Sequence, residues 1–197
     1  VFSLLGRIFM KPVDCPYQAA DRVLAEIPAE VKIRVLDFHA EATSDKGDAH
    51  AERWHLADES AGGMRLTRPL KDGARIGTGM MVAVKIMDSQ RFTLGNVRWA
   101  LREGENSLAA GVQLFPGEAR PVAVRVVESG ATGNPWRQGF MLPEIAAINE
   151  SASVVVPAGT YRLERSIEVM VDEKPRLLKL FRVLDRGGEF ERCNFYD

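Results

Sequence analysis

The chain has few of the residues that metal sites, disulfide frameworks and membrane spans require. Its 197 residues include three histidines and two cysteines, Cys15 and Cys193, which lie at opposite ends. The cysteines lack metal-ligand spacing, so we interpret them as free thiols in a reducing cytoplasm, with a bridge joining the chain ends as the alternative. No apolar run approaches the roughly 20 residues that span a bilayer. Metal-binding, disulfide-rich and membrane-spanning classes are therefore disfavoured.

The chain also lacks an excess of charge of either sign. Its 26 basic and 27 acidic residues give a net charge of -1. No global field would attract a polyanion, so we expect no binding to a nucleic-acid polymer. The composition, 46% hydrophobic and 27% charged, is ordinary for a globular protein, and the length suits one large or two small domains.

Residues 1–29 are predicted to form an apolar arm followed by a short helix. Val1–Met10 is apolar and would need a partner surface, either this chain's own core or a second subunit of a homo-oligomer. Apolar residues from Tyr17 to Ile27 recur at spacings of three and four, and Pro28 ends the helix. Because the chain begins with Val1, we interpret it as a fragment or a processed product.

From Glu30 onward the sequence predicts strands at regular spacing, with Gly and Pro between them. This pattern is typical of an antiparallel barrel or sandwich, so the predicted fold class is all-β and mostly antiparallel. The run Met80–Met87 is nearly all apolar, as in a strand that is buried on both faces. The alternation changes phase at Gly95-Asn96, which predicts a β-bulge there.

The stretch Ser129–Pro135 has the composition of a linker. We therefore predict one β-domain over residues 30–128 and an appended β-domain over residues 137–197.

A turn-rich stretch, Asp58-Glu59-Ser60-Ala61-Gly62-Gly63, lies between two short alternating runs. It is typical of a hairpin turn. It also suits a ligand, because a fixed carboxylate and hydroxyl can bind the donor edge of a planar base while glycine permits close approach. The arginines that follow, Arg65 and Arg68, could hold phosphates.

The pattern Asp58-x-Ser60-x-x-Gly63 resembles the D-x-S-x-x-G motif of PilZ domains, small bacterial β-barrels that bind cyclic di-GMP. The resemblance covers roughly residues 30–126. It implies a split β-barrel in which Asp58, Ser60 and Gly63 contact a guanine, in a cytoplasmic, non-enzymatic regulatory or adaptor module. The family's R-x-x-x-R segment has no counterpart, and the nearest stretch, Arg7–Lys11, has lysine in the second place. The alternative is therefore a degenerate module that binds no nucleotide and serves protein interaction or assembly.

The patterns that would indicate an enzyme are weaker than the resemblance to PilZ domains. We therefore predict no catalytic residue, metal ligand or cofactor. Asp37–Lys46 resembles a stretch of one bacterial metallophosphoesterase family. We interpret this as coincidence, because the chain has few further ligands and Gly95-Asn96-Val97 has Val where such enzymes require His. His55, with Asp58 and Ser60, lacks the geometry of a triad. Two tryptophans, Trp54 and Trp99, lie in strand phase and are predicted to be core.

Overall fold

The structure is a computed structural model, and it describes residues 33–37, 51–70, 76–86, 92–127 and 134–197. The predicted N-terminal arm and helix of residues 1–29 lie outside these ranges. Within them the chain is all-β and antiparallel, as predicted, with one short 3-10 turn at Ala146–Ile148. No helix in these ranges is long and apolar enough to cross a membrane.

Six antiparallel strands form a first closed barrel, in the order β1-β2-β3-β6-β5-β4. They are β1 (Ile33–Asp37), β2 (Ala51–Ser60), β3 (Gly63–Pro69), β4 (Met81–Ile86), β5 (Thr93–Glu103) and β6 (Ser107–Leu114). Alternation sends every second side chain inward. The resulting core contains Trp54, Leu66, Val97 and Val112, which are all at most 2% exposed. The predicted core position of Trp54 is thus confirmed.

A second six-stranded closed barrel follows, in the order β10-β11-β12-β9-β8-β7. Its strands are β7 (Arg120–Val126), β8 (Arg137–Leu142), β9 (Ser153–Pro157), β10 (Ser166–Val171), β11 (Lys174–Arg186) and β12 (Phe190–Tyr196). Branched apolar residues fill its interior around Cys193, which is fully buried. Burial raises the pKa of the Cys193 thiol from 9.0 to about 12, so the sulfur stays protonated and unreactive at neutral pH.

The boundary between the two units lies between Phe115 and Pro116, earlier than the linker Ser129–Pro135 had suggested. The reason is strand β7, which the sequence assigned to the first domain. It pairs with β8 and β10, so it belongs to the second barrel. A Gly- and Pro-rich stretch of this kind connects neighbouring strands of one sheet as readily as it connects domains.

The β-bulge in β5 was predicted at the wrong place. Gly95 and Asn96 keep regular pairing with both β4 and β6. The register shifts instead between Val97 and Trp99, which makes Arg98 the extra residue.

Candidate functional site

The stretch from Asp58 to Gly63, which resembles the D-x-S-x-x-G motif, forms the tip of the β2–β3 hairpin. Asp58 to Ser60 continue strand β2, Gly63 opens strand β3, and only Ala61 and Gly62 form the turn. Ser60 pairs with Gly63, and the hydroxyl of Ser60 donates to the carbonyl oxygen of Gly63 at 3.2 Å. The turn is therefore closed by the residues of the motif itself, and the acid and the alcohol both stand on an exposed strand.

A row of four paired residues crosses the sheet beside this tip. Asp58 on β2 pairs with Arg65 on β3, Arg65 pairs with Gly111 on β6, and Gly111 pairs with Trp99 on β5. Paired residues on adjacent antiparallel strands lie on the same face. Because Met64 and Leu66 fill the interior on either side of Arg65, the row lies on the outer face of the barrel. A carboxylate, a guanidinium group and an indole thus share one strip of surface.

The indole of Trp99 lies directly over Gly111. A Cβ atom placed on Gly111 would meet Nε1 of Trp99 at 2.2 Å and Cε2 at 2.3 Å. The missing side chain is what allows the ring to lie across the strand. Trp99 remains 37% exposed, so the prediction that it is core is wrong. The bulge at Arg98 explains the error, because one extra residue reverses the face that the following residues occupy.

Together these residues line an open groove of about 290 Å³, which we call the hairpin groove. Asp58, Ser60, Gly63 and Arg65 all line it, as the sequence had grouped them. The structure adds Arg98, Trp99 and Gln113, which sequence reasoning missed as site residues. The position of Gln113 opposite Gly63 became evident only from the pairing of β3 with β6. The volume is near the lower end for small-molecule sites and matches one planar base better than a whole dinucleotide.

Arg68 does not belong to the hairpin groove. It lies three residues after Arg65 on the same strand, and an odd spacing places the two side chains on opposite faces. Arg68 is only 4% exposed, and its guanidinium carbon lies 5.0 Å from the centroid of the Trp54 ring. The prediction that Arg68 helps hold phosphate is therefore corrected, since it packs within the barrel.

Arg65 remains outside and forms an ion pair with Glu103, in which both side chains are more than a third exposed. An exposed ion pair of this kind contributes little to the stability of the folded protein, typically ~0–1 kcal/mol. Arg65 can therefore exchange the carboxylate of Glu103 for a ligand anion at small energetic cost. Asp58 accepts a hydrogen bond from the backbone N–H of Glu59 at 2.9 Å through Oδ1. Asp58 lines the groove, and no hydrogen bond from another described residue to its Oδ2 occupies this oxygen, which leaves it available to a ligand.

The two glycines at the hairpin tip have different roles. A Cβ atom on Gly63 would lie 2.7 Å from the carbonyl oxygen of Val112, so the neighbouring strand already requires glycine there. Gly62 has no heavy atom within 4 Å of the same position. The open space at the tip is therefore beside Gly62, and the need for Gly63 is explained by strand packing.

His55 is exposed on β2, and no group of three His, Cys, Asp or Glu residues in the described part of the chain could hold a metal ion. The other two histidines, His39 and His50, fall outside the described ranges.

Two family models match parts of the chain. One, described as the FimW C-terminal beta-barrel domain, matches residues 122–197, and one described as a YmdB-like protein matches residues 1–54. The first match begins within β7 and therefore groups this strand with the second barrel, as the pairing does. No solved structure matches the chain.

Two curated proteins are similar to parts of it. The cyclic-di-GMP receptor FimW of Pseudomonas aeruginosa is 21% identical over 140 residues, which cover 71% of this chain and 23% of the receptor. A 2',3'-cyclic-nucleotide 2'-phosphodiesterase of Bacillus subtilis is 46% identical over 46 residues, which cover 23% of this chain and 17% of that enzyme. The chain thus spans less than a quarter of the length of either relative.

The match to the YmdB-like family model bears on the interpretation of residues 37–46. The likeness of Asp37–Lys46 to a metallophosphoesterase family was interpreted as coincidence. The family model described as a YmdB-like protein matches residues 1–54, which include this stretch, and this match counts against coincidence. A short related segment can be present in a chain that lacks the metal ligands of a complete enzyme.

Proposed function

We propose that the first barrel is a PilZ-like, non-enzymatic regulatory module that binds one guanine of cyclic di-GMP in the hairpin groove. The observation that carries the proposal is the row Asp58, Arg65, Gly111 and Trp99 beside the D-x-S-x-x-G tip. The similarity to a protein named as a cyclic-di-GMP receptor supports it. We expect such a module to be located in the cytoplasm, and this location stays a prediction.

Each part of the groove has a function in this proposal. The carboxylate of Asp58 accepts hydrogen bonds from the N–H edge of guanine, and charge-assisted bonds of this kind are the strong ones. The exposed indole of Trp99 stacks on a base, which contributes ~1–3 kcal/mol per base in proteins that bind single-stranded nucleic acids. Arg65 binds phosphate after it leaves Glu103. An indole and a guanidinium group from the barrel thus replace part of the clamp that the absent R-x-x-x-R segment supplies in PilZ receptors.

The test is calorimetric titration of the chain with cyclic di-GMP. We expect micromolar binding, weakened at least about tenfold in Asp58→Ala, because a charge-assisted hydrogen bond contributes about 1.5–3 kcal/mol. Glu105→Ala is the matched control, since this exposed carboxylate belongs to the β5–β6 turn and does not line the groove. Equal binding by both variants would reject the assigned site.

The alternative function is a protein-interaction or assembly module. It is favoured by two exposed apolar side chains two residues apart on β5, Trp99 and Leu101, which are 37% and 46% exposed. The apolar arm Val1–Met10 would add to such a contact. Absence of any heat with the dinucleotide at high concentration would support this alternative over nucleotide binding.

A further inference from the structure

Gln113 on β6 is a polar side chain of the hairpin groove to which the proposed function assigns no contact. Val112 fills the first core and is 2% exposed, so its neighbours Gly111 and Gln113 both lie on the outer face of the barrel. Gln113 is exposed, and it lines the groove together with Asp58 and Trp99. A strand rises ~3.4 Å per residue, so Gln113 stands about 7 Å along β6 from the glycine that supports the indole of Trp99.

Gln113 and Asp58 approach the space above this indole from two directions. Asp58 lies across the strands from Gly111, with Arg65 on β3 between them. Gln113 lies along β6 from the same glycine. A base that stacks on the exposed indole of Trp99 can therefore present one edge to the carboxylate of Asp58 and an adjacent edge to the amide of Gln113.

The two side chains differ in the hydrogen bonds that they can form. An ionised carboxylate only accepts hydrogen bonds, whereas the amide of glutamine can also donate through its NH2 group. Guanine has N–H donors on one edge and the acceptors O6 and N7 on another, and adenine has an amino group in the place of O6. A carboxylate on one side and an amide on the other thus suit the mixed edges of guanine.

We propose that Gln113 is a specificity-determining residue of the hairpin groove, and that its side-chain NH2 group donates to O6 of the guanine that Asp58 binds. This role rests on the proposed binding of cyclic di-GMP. It adds a contact from β6, outside the D-x-S-x-x-G turn. A groove that offers a donor at this point favours guanine, because adenine presents an amino group where guanine presents O6.

The test is calorimetric titration of the whole chain and its variants with cyclic di-GMP. Gln113→Ala removes a neutral hydrogen bond and should weaken binding about fivefold. Gln113→Glu keeps the shape of the side chain but replaces the NH2 group by a carboxylate oxygen, which faces O6 as a second acceptor, and should weaken binding at least about tenfold. Both variants should fold, because Gln113 is exposed. Asn106→Asp is the matched control, since it makes the same chemical change at an exposed position of the β5–β6 turn that does not line the groove.

Cyclic di-AMP separates recognition of O6 from simple charge repulsion. A new carboxylate that only repels phosphates would weaken the binding of both dinucleotides equally. Recognition of O6 predicts instead that Gln113→Glu raises the affinity for cyclic di-AMP relative to cyclic di-GMP, by about tenfold in competition titrations. In NMR spectra, the side-chain NH2 signals of Gln113 should shift saturably with cyclic di-GMP.

The outcomes distinguish this role from the proposed function. Undiminished binding by Gln113→Ala, an equal loss in Asn106→Asp, or an unchanged preference between the two dinucleotides in Gln113→Glu would overturn the role of Gln113. If Asp58→Ala still weakened binding in that case, the proposed function would stand without it. Absence of binding by the unaltered chain would reject both.

Discussion

The substitution Gly111→Ala tests the structure of the hairpin groove directly. The new methyl carbon would lie 2.2 Å from Nε1 of Trp99. Carbon and nitrogen atoms in contact stay about 3.5 Å apart or more, so the indole must lift away from the strand by about 1 Å or rotate into solvent. The indole can move because it is already 37% exposed, and we therefore expect the barrel to remain folded.

The cost follows from the contact that the indole loses. A tryptophan buries ~150–250 Å² on folding, and loss of roughly a third of this area at about 25 cal/mol/Å² amounts to about 2 kcal/mol. Replacement of glycine by alanine also reduces the entropy of the unfolded chain, which stabilises the protein by ~0.4–1 kcal/mol. The net expected destabilisation of Gly111→Ala is therefore about 1 kcal/mol.

The matched control is Gly62→Ala at the hairpin tip, where the added carbon meets no atom within 4 Å. Both variants reduce the entropy of the unfolded chain in the same way. The difference between their free energies of unfolding therefore isolates the effect of displacing the indole. Urea denaturation should give a difference of about 2 kcal/mol between the two. The NMR signal of the Trp99 indole should shift only in Gly111→Ala. Equal stability of the two variants, with an unmoved Trp99 signal, would refute the packing of Trp99 on Gly111.

Two further predictions concern the second barrel. In a Cys15→Ala background, the stability that the protonated Cys193 contributes is complete below about pH 9 and decreases as the pH rises toward 12, because only the unfolded chain releases the proton there. In urea denaturation, the free energy of unfolding should decrease by up to about 1.4 kcal/mol per pH unit over this range. Cys193→Ala should abolish the decrease. Equal pH dependence of the free energy of unfolding with and without Cys193 would contradict the raised pKa. Arg192 is buried, bonded to Ser153 at 3.0 Å and paired with Glu150. Glu150→Gln should lower the free energy of unfolding by about 2 kcal/mol, because it removes the carboxylate that is paired with the buried charge of Arg192. Arg192→Met should lower it less. The reverse order of the two variants in urea denaturation would contradict this prediction.

Much of the fold could be predicted from the sequence because strand alternation is a local signal. The β2–β3 hairpin, the buried strand β4 and the all-β class follow from patterns within a few residues. The grouping of Asp58, Ser60, Gly63 and Arg65 in one groove could be predicted for the same reason. Arg68 could also have been excluded, since its spacing from Arg65 already places it on the other face.

The remaining errors have a common cause, which is that pairing between strands is not local. The bulge at Arg98 depends on how β5 meets β6, and it decides whether Trp99 is inside or outside. The assignment of β7 to the second barrel depends on its pairing with β10, more than 40 residues later. Composition alone does not distinguish a linker between domains from a loop between neighbouring strands.

Closure of both barrels limits how a protein partner can recognise this chain. In each barrel every described strand has a neighbour on both sides over part of its length, so none of them is open along a whole edge. Many adaptor domains capture an extended peptide by adding it to an open sheet, and this mode requires such a row. Recognition through the parts of these strands that are paired on both sides must therefore depend on side chains, which makes it sensitive to single substitutions at the surface.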